Sequence, residues 1–218
     1  MAINQIAFGV WFRFNISGQE ILAVLLASFI ECRLKQLFTT WLKKGANMVC
    51  SDHYMRKMIH SVKKRLNDEG EVLRLAPKGE LISSKIQFND PLDVAALKHC
   101  NSLILPKDYI EFLKVSDGAK LYIDHYHGSQ PLLTLYSLKE ILKEKAFYEN
   151  SLHEKNMYPI ATLLDRSDLL VNQVALNKGN PYLLLADGTK VFDYGFEEWL
   201  DKFFIAQGNE FWLLDQPY

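Results

Sequence analysis

The chain has 218 residues, 49% of them hydrophobic and 23% charged, an ordinary globular composition that excludes disordered and fibrous classes. With 25 Lys and Arg against 26 Asp and Glu, it lacks the positive excess of a general nucleic-acid binder. Cys32, Cys50 and Cys100 are too few and too scattered for a disulfide framework, and no Cys-x-x-Cys pair suggests a zinc ribbon, so a reducing cytoplasm suits them.

Residues 1–47 stand apart. They carry five basic residues (Arg13, Arg33, Lys35, Lys43, Lys44), two acidic ones (Glu20, Glu31) and many large apolar side chains. The apolar run ILAVLLASFI at 21–30 is about half the ~20 residues that a membrane-spanning helix needs. Upstream, IAFGVWF follows no basic leader and precedes no small-residue cleavage site, which argues against a signal peptide. Lys43-Lys44-Gly45-Ala46-Asn47-Met48 can be encoded by AAA AAA GGA GCN AAY ATG, which contains a GGAG ribosome-binding sequence shortly before a start codon. Segment 1–47 is therefore read as an extension that is not translated in the native protein, which would begin at Met48 and form one domain over 48–218. That domain holds 20 basic residues (25 less five) and 24 acidic ones (26 less two). Two other readings stay open: an amphipathic helix over 19–42, with Leu22, Leu25, Leu26, Phe29 and Ile30 on its packed face, and a helix lying at a membrane surface beside Trp41, Lys43 and Lys44.

From Asp52 the pattern becomes regular. Met55, Met58, Ile59, Val62 and Leu66 recur at helical spacing, which predicts an amphipathic helix capped by Asp52, with Arg56, Lys57, Lys63, Lys64 and Arg65 as its solvated face. VLRLA and GELIS flank Pro77-Lys78-Gly79 and predict a hairpin. Asn89-Asp90-Pro91 predicts a second helix, with Asp90 as N-cap and Pro91 at its first position. In LILPKDYIEFLKVSDG, Pro106 opens a third helix, Tyr109, Phe112 and Leu113 share its buried face, and Gly118 closes it. Strands KLYID and LLTLY precede Ser137-Leu138-Lys139-Glu140, a capping box whose helix turns Leu138, Ile141 and Leu142 inward.

Strands dominate the remainder. PIATLL, LLVNQVAL, PYLLLA and KVFD are separated by turn residues at Arg166-Ser167-Asp168, Lys178-Gly179-Asn180 and Asp187-Gly188. A closing helix, FEEWLDKFFIAQG, buries Phe196, Trp199, Leu200 and Phe203 and stops at Gly208. Helices early and strands late, without strict alternation, predict an α+β domain: an antiparallel sheet meander flanked by helices.

Chemistry is sparse. There is no Gly-x-Ser-x-Gly elbow, P-loop, Gly-x-Gly-x-x-Gly or His-Glu-x-x-His, so neither a catalytic residue nor a cofactor is assigned. In Asp124-His125-Tyr126-His127 the two histidines would share one face of a strand, but two ligands do not close a metal site and no spacing recruits His99, Cys100 or His153 as a third. A polar loop is the expected state, and no metal is assigned. Asp165 and Asp168 could do acid-base work if a pocket separated their pKa values, yet in a turn between strands they are expected to bond their own backbone. His99 and Cys100 are sequence neighbours that would point about 100° apart on a helix, which excludes a dyad.

The stretch LPKDYIEFLKVSDGAKLYI resembles the signature of the SUKH superfamily, the Smi/Knr-type domain, in which Leu-Pro-x-Asp-Tyr opens a helix that ends in Asn-Gly or Asp-Gly before a strand. The resemblance continues in order through FNDPLDVAALKHCNSLILP, LYSLKEIL, YPIATLLDRSDLLVNQVAL, PYLLLAD and VFDYGFEEWLDKFF, spanning 88–204. Asp117 stands where Asn is commoner, and both accommodate the turn. In bacteria the resemblance implies an immunity protein: a cytoplasmic, non-catalytic, SUKH-like domain that binds and neutralises a cognate polymorphic toxin, often a nuclease, without touching nucleic acid or membrane. A mild acidic excess suits such a partner, since nucleases are basic where they hold phosphates. Leu105, Pro106, Tyr109 and Gly118 are the motif's structural positions. The candidate partner-binding stretch is Tyr122, Asp124, His125, Tyr126 and His127, because tyrosines beside carboxylates make good anchors; core packing is the alternative for Tyr122. The competing classes are a regulatory scaffold of Knr type and a small hydrolase working at Asp165 and Asp168.

Overall fold

The computed structural model describes residues 51–213 apart from 77, 98–102, 152–155, 166, 187 and 189. Segment 1–47, the start at Met48, and His99, Cys100, His153, Arg166 and Asp187 therefore lie outside the described residues, as does the side chain of Asp52. The described residues belong to the compact unit Cys50–Tyr218.

Helix α1 (Ser51–Lys63) follows its apolar period: Met55, Met58, Ile59 and Val62 are buried, while Arg56, Lys57 and Lys63 face solvent. Strands β1 (Glu71–Leu75) and β2 (Leu81–Phe88) form the expected hairpin, closed by Gly79 N–H on the Ala76 carbonyl at 2.8 Å. Helix α2 (Val94–Leu97) begins later than Pro91 suggests. Asp93 Oδ1 accepts Ala95 N–H at 3.0 Å and so starts it, whereas the Asp90 carbonyl is taken by Asp117 N–H at 2.9 Å. The candidate cap at Asp90 is thus drawn into a tertiary tie, and the next acidic residue caps instead.

Helix α3 (Lys107–Leu113) buries Tyr109, Phe112 and Leu113. Gly118 does not end it. The chain runs on through Ser116 and Asp117 before Gly118, at φ +90°, turns into β3 (Ala119–Ile123), and a Cβ there would stand 2.9 Å from the Leu135 carbonyl oxygen. Strand β4 (Pro131–Leu135) leads to α4 (Leu138–Ser151), whose capping box forms: Ser137 N–H donates to Glu140 Oε2 at 2.8 Å and Glu140 N–H to Ser137 Oγ at 3.3 Å. Leu138 and Ile141 are buried, but Leu142, one residue beyond Ile141 and so rotated about 100° from it, is 38% exposed.

Strands β5 (Met157–Leu163) and β6 (Asp168–Asn172) pair as expected, but LLVNQVAL is not one strand. Asn172 Oδ1 accepts the N–H groups of Val174 and Ala175, each at 3.0 Å, and this N-cap starts a short helix, α5 (Gln173–Asn177). Strands β7 (Leu183–Leu185) and β8 (Val191–Phe192), helix α6 (Phe196–Ile205) and a 3-10 turn (Phe211–Leu213) follow. Among the described residues the sheet has eight strands in the order β1 to β8, every neighbour antiparallel, which is the meander of an α+β fold.

Helix α6 carries the aromatic core. Trp199 stacks on Phe203 with ring centroids 5.4 Å apart and on Trp212 at 5.8 Å, and Phe196 meets Tyr109 edge-on at 4.6 Å. Buried Tyr109 donates its hydroxyl to the carbonyls of Tyr136 and Ile160 at 2.6 and 2.9 Å. The motif position between Pro106 and Tyr109 has a structural duty as well: Asp108 Oδ2 accepts the Tyr182 hydroxyl at 2.9 Å and Glu197 N–H at 3.1 Å, so it caps α6 from α3. The chain turns at the end of α6 through two successive left-handed residues, Gln207 at φ +55° and the expected Gly208 at φ +85°. Gly208 N–H reaches the Phe203 carbonyl and Gln207 N–H the Phe204 carbonyl, the two bonds of a Schellman motif.

Candidate functional site

The end of β3 is shaped by a bulge. Lys85 of β2 pairs with Ile123, but Gln87, two residues on, pairs with Lys120, so β3 carries one extra residue here. Tyr122 takes up the excess at φ +57°, a left-handed conformation that costs a non-glycine residue roughly 1–3 kcal/mol. Packing holds it there. Its ring lies 5.9 Å from that of Phe203, and the Arg74 guanidinium stands 5.6 Å from its centroid. A Cβ on Gly208 would come within 2.7 Å of Tyr122 Cδ2, so the close approach of the two segments needs a glycine. Burial pushes the Tyr122 phenol up to about 12, although Arg65 and Arg74 pull the other way.

Beyond the bulge Asp124 turns into the protein and is 5% exposed. Its Oδ2 accepts Arg74 Nη2 at 2.7 Å and Ser84 Oγ at 3.2 Å, and its Oδ1 accepts His127 N–H at 2.9 Å and stands 2.8 Å from His127 Nδ1. Arg74, 1% exposed, also donates Nε to Ser84 Oγ at 2.8 Å and Nη1 to the Gln207 carbonyl at 3.4 Å. Burial alone would raise the Asp124 carboxyl, but the hydrogen bonds from Arg74 and His127 outweigh it and hold the group below the usual aspartate value.

Residues 125–129 form a turn, so His125 and His127 do not alternate along a strand. His125 is exposed, with Nδ1 3.4 Å from Ser129 Oγ. Tyr126 is 47% exposed; its ring meets that of His127 edge-on at 5.0 Å, and Lys78 Nζ stands 5.9 Å from its centroid. The five residues of the sequence-derived stretch thus separate by depth. Tyr122 and Asp124 are interior, His127 is partly covered, and His125 and Tyr126 project into solvent. Among the described residues no group of three His, Cys, Asp or Glu is arranged to hold a metal ion.

A cleft of about 460 Å³ opens beside this turn, lined by Arg74, His127, Leu132, Leu163, Asp165 and Glu210 among others. Sequence reasoning missed it, because its walls come from β1, β4, the end of β5 and the segment after α6. The carboxylates of Asp165 and Asp168 have separate duties. Asp165 accepts Ser167 N–H at 2.9 Å and Ser167 Oγ at 3.0 Å, the expected local turn bonding. Asp168 instead accepts the hydroxyl of Tyr148 from α4, and that phenol is raised well above its ordinary value, by burial first and then by the carboxylate. Glu210 is likewise raised, by burial first and then by Asp165.

Comparison with known proteins follows the same segment of chain. Residues 90–214 match the SMI1 / KNR4 family (SUKH-1). The chain is also similar to the uncharacterized protein YobM of Bacillus subtilis (strain 168), at 26% identity over 170 residues, which cover 73% of this chain and 91% of that one. Among the described residues no helix is long and apolar enough to cross a membrane.

Proposed function

The chain belongs to the SMI1/KNR4 family (SUKH-1), and on that premise we propose that it is an immunity protein that binds a cognate polymorphic toxin and neutralises it stoichiometrically. The family match over 90–214 carries this reading. Two features support it. The balance of 20 basic to 24 acidic residues after Met48 complements a basic nuclease surface, and the turn after β3 offers a half-exposed tyrosine backed by a buried ion pair. In this proposal the protein acts without catalysis in the cytoplasm, and its native translation begins at Met48. Contact is made by His125 and Tyr126, with His127 beneath them, while Tyr122 and Asp124 hold the turn in shape.

The test is functional. The tagged full chain is used to capture products of adjacent genes from the source cell, and any toxin recovered is assayed with and without it. Abolition of the toxin's activity at equimolar ratio is the expected result. Failure of every adjacent product to bind, or binding without inhibition, would refute the immunity role and favour a scaffold of Knr type. Intact mass of the protein from its native host checks the start at Met48: a molecule that retains residues 1–47 would overturn that part.

A further inference from the structure

The cleft beside the turn after β3 has an apolar floor and an acidic rim. Leu132 and Leu163 are buried at its base, Leu164 and Leu213 are partly exposed along its walls, and Asp165 and Glu210 are exposed at its edge. Its charges do not cancel. Arg74 also lines the cleft, but its guanidinium is bound to Asp124 at 2.7 Å and the pair is neutral together, while His127 turns Nδ1 onto the same carboxylate. The carboxylates of Asp165 and Glu210 are then the formal charges that the rim presents to a visitor.

Resting on the reading that this chain binds a protein partner, we propose that the cleft receives a partner segment bearing an apolar side chain beside an arginine. The apolar group seats on Leu132 and Leu163, and the guanidinium spans Asp165 and Glu210. A volume of about 460 Å³ is of the size that encloses a compact group rather than a bare surface contact. The arrangement is that of an interface hot spot, with an apolar anchor in a pocket and a charged rim around it. Arginine suits the rim better than lysine because its planar fork can donate to two carboxylates at once. The upward shift at Glu210, caused first by burial and second by Asp165, is consistent with a rim that a cation would relieve.

A probe that does not depend on finding the partner tests this. The full chain, with leucine methyl groups labelled for NMR, is titrated with N-acetyl-Phe-Arg-amide and with the corresponding Phe-citrulline peptide, which keeps the shape and removes the charge. Saturable shifts at the methyls of Leu132, Leu163 and Leu213 are expected with the first, and at least about tenfold weaker binding with the second or after Asp165→Asn with Glu210→Gln. Glu210→Gln alone, which leaves the Asp165 turn intact, serves if the double variant misfolds and should weaken the Phe-Arg peptide in the same direction. Equal affinity for both peptides, shifts confined to other leucines, or none up to about 10 mM peptide would overturn the proposal. Once a toxin is in hand the two readings separate: undiminished toxin binding by the rim variants refutes the cleft alone, whereas peptide binding without any toxin supports the cleft and refutes immunity.

Discussion

Removing the Asp124 carboxylate is the sharpest available perturbation of the region that joins the bulge, the turn and the cleft. In Asp124→Ala the Arg74 guanidinium, on a residue 1% exposed in the wild type, loses its carboxylate partner, and Ser84 Oγ and His127 N–H each lose an acceptor. Truncating one member of a buried, hydrogen-bonded ion pair costs about 3–5 kcal/mol, because the remaining charge is left unpaired. That is a large share of the roughly 5–15 kcal/mol that stabilises an ordinary domain, and for a domain of this size it would lower the Tm by about 6–20 °C. Replacing both members with apolar residues of similar volume, Arg74→Met with Asp124→Leu, should restore much of the loss, since no charge then remains buried. Urea unfolding of the wild type, Arg74→Met, Asp124→Leu and the double variant, followed by tryptophan fluorescence, gives the coupling energy directly. A single-variant loss below about 1 kcal/mol, or a double variant as unstable as the singles added together, would show that the pair is not the desolvated unit described above.

Acid sensitivity follows from the same carboxyl. Its folded value lies below the unfolded one, so its stabilisation is present in full above about pH 4 to 5 and fades as pH falls through the folded value. Wild type should therefore lose more stability than Asp124→Asn between about pH 5 and pH 2, and parallel curves would contradict the assignment. Gly118→Ala should destabilise by roughly 1–3 kcal/mol, since a Cβ there meets backbone at 2.9 Å and the φ of +90° is strained for alanine; thermal unfolding checks it, and a neutral result would refute the close approach. Asn172→Ala should cost about 1 kcal/mol and weaken amide-exchange protection over 173–177 before it affects the sheet. Tyr126→Ala, at an exposed site, should leave stability within about 0.5 kcal/mol of wild type while raising the toxin's Kd at least about tenfold, as calorimetry would show.

Several short-range signals in the sequence led directly to the local structure they predict. The apolar period of α1, the Ser137–Glu140 box, the β1–β2 hairpin and the aromatic face of α6 all depend on residues close in sequence, and they are present as expected. So is the order of antiparallel strands: short turns join β1 to β2, β3 to β4, β5 to β6 and β7 to β8, and the helical connections between those pairs also return the chain to the neighbouring position in the sheet. Other features were set by packing between distant segments. The sequence pointed to Asp90 as the cap of the second helix, yet Asp93 caps it, and the Asp90 carbonyl is claimed by Asp117, 27 residues away. Gln207 rather than Gly208 took the first left-handed position after α6, where its side chain accepts Leu75 N–H at 2.6 Å and its carbonyl accepts from Arg74.

The candidate site shows the same division. The sequence singled out Tyr122 through His127 by composition, yet the depth of each side chain depended on a bulge in β3 and on Arg74, 50 residues earlier. Composition cannot report that Asp124 would find a buried guanidinium while Tyr126, two residues on, would face water. The cleft is the extreme case, since its lining residues come from segments separated by up to 139 residues, Arg74 to Leu213, and no local pattern connects them. Local hydrogen bonding and side-chain period are written in the order of residues, whereas the pairing of charges and the shape of a surface exist only after distant segments have packed.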